Sequence, residues 1–275
     1  MRIHVQGAGK VGVALARALK RSGAEVTLRS ARKGLPRTID ADLVVLAVRD
    51  RDLGPLAEAM RGVVTERAAV VHVAGALDAQ VLAPLRGACA GVGQMHPMIS
   101  FASKRFTPTL ARGNLHVQGD RAAVARARRV ARLLGMTART IPGLDTIAYH
   151  AAAGLVANGA AALAAVGAEL LARANVPEAV APRMLGPLLR SVAENVEAMG
   201  FPGALTGPVR RGDARGVDRH LGVLAKKLPA AVPLYLASAE AQLPLARALG
   251  DATPQALDEV AAVLRASHER PAPTK

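Results

Sequence analysis

The chain has 275 residues, half of them apolar but only 2% aromatic, and a formal charge of +15 at pH 7. That length suffices for one large core or two ordinary ones, and a single cysteine, Cys89, excludes both an internal disulfide and a cysteine metal cluster. The charge is uneven: residues 1–143 hold 23 Lys/Arg against 9 Asp/Glu and the remainder 13 against 12, so the first half attracts anions of any kind.

The chain opens directly on a strand pattern, residues 2–6, which leaves no room for a signal peptide; with the cysteine usage this sets a cytoplasmic location as the expectation. Helix 10–22 follows, then strands 25–29 and 42–48, helix 52–61, strand 69–74, helix 78–86, strands 91–95 and 114–118, helix 120–135 and strand 137–141. Short apolar runs separated by helical stretches predict an α/β fold, a parallel sheet covered on both faces in a doubly wound Rossmann domain over 1–143. The densest basic cluster, residues 121–135, sets Val124, Ala127, Val130, Ala131 and Leu134 on one stripe. Its arginines therefore read as a solvated helix face, and with no interleaved aromatics nucleic acid is not an expected partner.

Beyond residue 143 strands give way to helices at about 145–174, 177–199, 214–227, 230–249 and 254–267. This predicts an all-α domain over 144–268, with Asp213 and Thr253 as N-caps and a frayed tail at 269–275. Residues 151–176 are long enough to be tested as a membrane span, but they are mostly Ala and Gly with Asn158 and Glu169 inside. Burial between neighbouring helices or between two subunits is the expectation, and no membrane partner is.

Gly7-Ala8-Gly9-Lys10-Val11-Gly12 follows a strand and opens a helix, the context of a dinucleotide-binding turn. Gly7 permits the turn, Gly9 lets the backbone approach a pyrophosphate, and Gly12 lets helix pack on strand. The second strand ends where an NAD-binding chain places an acid against the ribose 2′-OH; here stand Arg29, Ser30, Arg32 and Lys33. A carboxylate would repel a 2′-phosphate, whereas Ser30, Arg32 and Lys33 can hold one, so NADP is the expected cofactor. Ala47 and Val48 at the end of the third strand, and Gly75 after the fourth, complete the expected cofactor set. No ligand spacing among the seven histidines points to a metal.

The segments GAGKVGVALARAL, ADLVVLAVRD, VGQMHPMISFA, YHAAAGLVANGAAAL and ALTGPVRRGDARGVDRHLGVL resemble the bacterial Rossmann-like oxidoreductases whose C-terminal half is the domain of unknown function DUF2520. The resemblance implies a 6-phosphogluconate-dehydrogenase-like architecture, NADP use and a helical dimerisation domain. Some members look like ketopantoate reductases, and pyrroline-5-carboxylate reductases share the architecture more distantly.

Reduction of a carbonyl also needs a proton donor and, for an acid substrate, a carboxylate ligand. His150, Gly154 and Asn158 recur every four residues on one helical face, with His150 and Asn158 roughly 12 Å apart along the axis, so they serve different ends of a bound substrate–cofactor pair. Related hydroxy-acid dehydrogenases carry a catalytic lysine on this helix; none stands here, and His150 is the expected proton donor. His96, restrained by Pro97, is the third catalytic candidate. Thr206, Arg210 and Arg211, on a Gly/Pro-punctuated loop, suit a substrate carboxylate, with Asn195 and His220 brought forward only by family position. The expected function is an NADPH-dependent reductase of a small 2-oxo acid, with ketopantoate as the concrete candidate, in a homodimer. A cyclic imine reductase and a non-enzymatic NADP(H) sensor are the alternatives.

Overall fold

The computed structural model describes residues 1–269, so the expected tail falls, beyond Glu269, outside the described residues. The chain divides into two compact units at Ala157/Asn158. The first unit carries β1 (Arg2–Gln6), α1 (Lys10–Arg21), β2 (Glu25–Arg29), β3 (Leu43–Leu46), α2 (Asp50–Ala59), β4 (Ala69–His72), β5 (Gly91–Pro97), β6 (Asn114–Gly119), α3 (Arg121–Leu134) and β7 (Thr137–Arg139). It closes with the first turns of α4 (Thr146–Ala172).

The strands form one sheet in the order β2-β1-β3-β4-β5-β6-β7. Side chains alternate along each strand, and two cores result. Leu43, Val45, Ala69 and Val71 join Leu15 and Leu19 of α1 and Ala127, Val130 and Leu134 of α3 on one face. Val44, Leu46 and Val70 join Leu53 and Ala57 of α2, Met60 just after it, and Leu82 and Leu85 on the other. Continuous apolar runs such as Leu43–Leu46 are thus buried on both sides, as a doubly wound sheet requires.

Two sequence expectations are corrected. The sheet is mixed, because β5 and β6 pair antiparallel, Gln94 against Gln118 and His96 against His116. The physical reason lies in residues 98–113: they contain no helix, so the chain returns alongside β5 instead of crossing over to a parallel position. Residues 79–85 form a 3-10 turn in place of an α-helix; Pro84 lacks the N–H that an α-helical bond would need, and Asp78 caps the turn by accepting from the Gln80 N–H.

The division at Ala157/Asn158 lies fourteen residues beyond the change of periodicity at 143, inside α4. The side chains of its first turns account for this. The Thr146 hydroxyl donates to Ala76 O at 3.2 Å, and Tyr149 reaches His96 at 3.2 Å, so the start of α4 is fastened to the sheet unit.

The second unit holds the rest of α4 with α5 (Ala181–Gly203), α6 (Ala214–Lys227), α7 (Val232–Leu249) and α8 (Pro254–His268). Both expected caps form: Asp213 accepts from Gly216 N and Thr253 from Ala256 N. Val217, Leu221, Leu236, Leu257, Val260 and Leu264 make the core of α6–α8. α5 breaks at Gly200, whose φ of 62° leaves the helical region. No residue of α4 is fully buried within the chain, although the mean hydropathy of an 18-residue stretch of it reaches 1.7. Among the described residues it is the one helix long and apolar enough to cross a membrane.

Candidate active site

β1 lies between β2 and β3, so the chain order reverses there and a crevice opens beyond the carboxyl ends of β1 and β3. The glycine turn fills it. Gly7 has φ +117°, and a Cβ there would collide with the carbonyl of Ala47; a Cβ on Gly12 would collide with the Gly7 carbonyl and stand 3.1 Å from the Ala47 Cβ. These two glycines are required by the protein itself, and Ala47 is their close neighbour.

Gly9 is different. A Cβ there would meet only Ala47 O, at 3.9 Å, so the backbone at this exposed position is bare toward open space. Gly9 is also the N-cap of α1, without a side-chain cap and without an acid in the first turn, and the N–H groups of Lys10 and Val11 begin the helix. An anion fits this helix N-terminus, and the residues present suit a dinucleotide pyrophosphate.

A groove of about 550 Å³ begins at Ala8 and is bordered by Thr27, Arg29, Ser30, Lys33 and Asp40. Arg29 is spent on the loop: its guanidinium donates to Gly34 O and Lys33 O, both at 2.7 Å, and so shapes the turn that displays Ser30, Arg32 and Lys33. Arg32 and Lys33 are exposed on a 3-10 turn, Ala31–Lys33, available to a phosphate. Val48 is half-buried after β3.

Along β4, β5 and β6, polar side chains collect where strands would otherwise be apolar. Gln94 is buried on β5, and its amide N–H donates to Ala74 O at 2.8 Å, which makes its oxygen the acceptor. That oxygen receives Gln118 Nε2 at 2.7 Å and His116 Nδ1 at 3.2 Å, so His116 carries its proton on Nδ1. The buried Nε2 of His116 is left without a partner. His72 on β4 donates Nε2–H to Asp78 O at 2.8 Å and leaves its Nδ1 unpartnered. Burial lowers the pKa of both rings, holding them neutral.

His96 and His150, two of the expected catalytic residues, come together at Gly75. A Cβ on Gly75 would lie 2.8 Å from His96 Nε2 and collide with His150 Nδ1, so this glycine exists because two imidazoles occupy its side-chain space. The rings stand edge to face, centroids 5.9 Å apart. His96 is pushed down to about 4, first by burial and then by the neighbouring His150, His116 and His72. Its Nδ1 meets the Tyr149 hydroxyl at 3.2 Å, and Tyr149 also packs on His116 with centroids 5.6 Å apart.

Gln94, His116, Gln118 and Tyr149 were not among the residues singled out from the sequence. A signal existed: Gln94 with His96, and His116 with Gln118, are polar residues two apart in strands otherwise buried and apolar, hence on one side of the sheet.

In the second unit, Asn158 is the first residue, on α4. Arg210 is committed to its own loop: it pairs with Asp251 at 2.6 Å and donates to Leu205 O at 2.7 Å. Arg211 and Thr206 are exposed. His220 meets the Tyr235 hydroxyl at 3.0 Å.

Residues 114–242 match the family model described as domain of unknown function DUF2520, a span beginning at β6 and including His116, Tyr149 and His150. No curated protein matches the chain in sequence. Among solved structures, a Bacteroides fragilis protein provisionally named an NADP oxidoreductase is similar with a TM-score of 0.68 and 24% identity, over 88% of this chain and 97% of that one. A Thermotoga maritima protein, TM1727, follows with 0.63 and 21% over 90% and 98%. A Plasmodium falciparum pyrroline carboxylate reductase with NADP bound has 0.56 and 14% over 97% of each. At these identities the likeness is one of fold. The chain thus has a Rossmann-like fold, and its residues 114–242 match the DUF2520 model.

Proposed function

We propose that the protein is an NADPH-dependent reductase of a small 2-oxo acid, with ketopantoate as the concrete candidate. The observation that carries the reading is the convergence of His96 Nε2 and His150 Nδ1 on Gly75, in the same unit as a bare helix N-terminus that suits a pyrophosphate. Lys10 and Val11 N–H groups would hold the pyrophosphate, and Ser30, Arg32 and Lys33 the 2′-phosphate. Bound NADPH supplies the hydride.

The protein's own groups supply the rest. His150, exposed on α4 with Nδ1 at Gly75, protonates the oxygen on which charge develops. His96, near 4 and therefore neutral at pH 7, donates a hydrogen bond and no proton. A substrate carboxylate calls for a cation; within the second unit Arg210 is committed to Asp251, whereas Arg211 is exposed.

NADPH should bind at least about tenfold more tightly than NADH, about 1.4 kcal/mol, and Arg32→Glu should reverse the order. A panel of oxo acids followed by NADPH absorbance tests the chemistry: on an accepted oxo acid, His150→Ala should slow turnover roughly 10²–10⁴-fold with NADPH affinity kept. Equal affinity for both cofactors, or no turnover across the panel, defeats the proposal.

The fold shared with a pyrroline carboxylate reductase over 97% of each chain favours a second reading, reduction of a cyclic imine. A protonated imine brings its own proton, so His150→Ala would then leave the rate nearly unchanged. A homodimer belongs to the same proposal. Leu163 on α4 and Met184, Leu188, Val192 and Met199 on α5 are exposed apolar side chains of the second unit, a surface suited to a second copy.

A further inference from the structure

We propose that Tyr149 is a positioning residue: by donating its phenolic O–H to Nδ1 of His96, it holds that ring as the Nε2–H tautomer and so presents a hydrogen-bond donor at Gly75 to the substrate oxygen. The inference deepens the reductase reading and rests on it for the role of the donor, though not for the tautomer.

The geometry is given by the 3.2 Å contact between Tyr149 OH and His96 Nδ1 and by the edge-to-face packing of the two rings, centroids 5.4 Å apart. Two arrangements of protons satisfy that contact. Either the phenol donates to a bare Nδ1, or Nδ1–H donates to the phenol oxygen. A phenol is a far stronger acid than a neutral imidazole N–H, and the imidazole nitrogen a far better acceptor than a phenol oxygen, so the first arrangement makes the stronger bond. Burial raises the Tyr149 pKa, which keeps the phenol protonated and able to donate.

The surroundings select the same tautomer. His96 Nε2 and His150 Nδ1 face the same space over Gly75. Where His150 is neutral with a bare Nδ1, two bare nitrogens there would repel, and an N–H on His96 removes that repulsion. His116, the other histidine against Tyr149 with centroids 5.6 Å apart, has its own Nδ1–H fixed on Gln94 and makes no hydrogen bond through Nε2, so it does not take the phenolic proton that Tyr149 gives to Nδ1 of His96. Tyr149 acts only through His96. It is one residue before His150, so a single helical turn of α4 both fixes the tautomer of one imidazole and delivers the other.

Long-range ¹H–¹⁵N correlation spectra of the histidine-labelled full chain at pH 7.5, without substrate, test the tautomer directly. The wild-type protein should show His96 with a protonated Nε2 and a bare Nδ1. In Tyr149→Phe the two nitrogen shifts should move toward the averaged values of mixed tautomers, and on an accepted substrate kcat should fall about tenfold with KM changed less than twofold. A protonated Nδ1 in the wild type overturns the proposal without any variant, as does an unchanged His96 signature in a folded Tyr149→Phe protein. Because the spectra need no turnover, an inactive protein with the stated tautomer refutes the reductase and leaves the tautomer standing.

Discussion

Lowering the pH should destabilise the sheet unit through His96. The ring stands at about 4 in the folded protein against 6.5 for a free histidine, because burial and the facing rings of His150, His116 and His72 oppose its charge, while Tyr149 supplies only a neutral hydroxyl. A depressed pKa on a cationic acid means that the unfolded chain binds more protons between those two values. Stability is therefore complete above 6.5, falls as the pH drops from 6.5 to 4, and levels off below. The full shift corresponds to roughly 3 kcal/mol, of which about 2 kcal/mol is lost by pH 5. Lowered values of His4, His72 and His116 act in the same direction, so His96 must be isolated by difference. Urea unfolding followed at pH 7.5, 6, 5 and 4 for wild-type protein and His96→Gln supplies that difference. The variant should lose less stability than the wild type between pH 7.5 and 5, by about 2 kcal/mol. Parallel pH curves for the two proteins would refute the reasoning, as would an NMR titration of His96 with its midpoint near 6.5.

Gly75→Ala places a Cβ where the two imidazoles stand, and the resulting overpacking should cost roughly 1–3 kcal/mol in thermal unfolding while shifting the NMR signals of both His96 and His150. Arg210→Ala removes the partner of Asp251 and Leu205 O, a partly exposed set, and should lower the stability of the helical unit by about 1 kcal/mol, whereas Arg211→Ala should leave the melting temperature unchanged. Light scattering at micromolar concentration should report a dimer, and Leu188→Glu, on the exposed face of α5, should shift it toward monomer; a wild-type protein that is only monomeric removes that part of the proposal.

Local patterns determined much of this protein. A strand, a glycine turn and a helix at 2–22 can be read locally, because Gly7 has a positive φ and Gly12 meets the Gly7 carbonyl; that Ala47, from a later strand, also bars a side chain at Gly7 is a tertiary requirement. The alternation of apolar runs and helices, the Asp213 and Thr253 caps and the helical second half are likewise short-range properties, set by side-chain period and by hydrogen bonds to the third residue onward. The antiparallel return of β6 was decided elsewhere, by the lack of a crossover helix and by which sheet edge was open. That register alone sets Gln94 against Gln118 and His96 against His116, and the seating of α4 on the sheet unit brings Tyr149 and His150 to rings more than 30 residues away in the chain. No local period encodes such a meeting. Gly75 shows the difference most plainly: its sequence context suggests room for a cofactor, whereas the folded chain makes it glycine because two histidines, 21 and 75 residues further on, already occupy the place of its side chain.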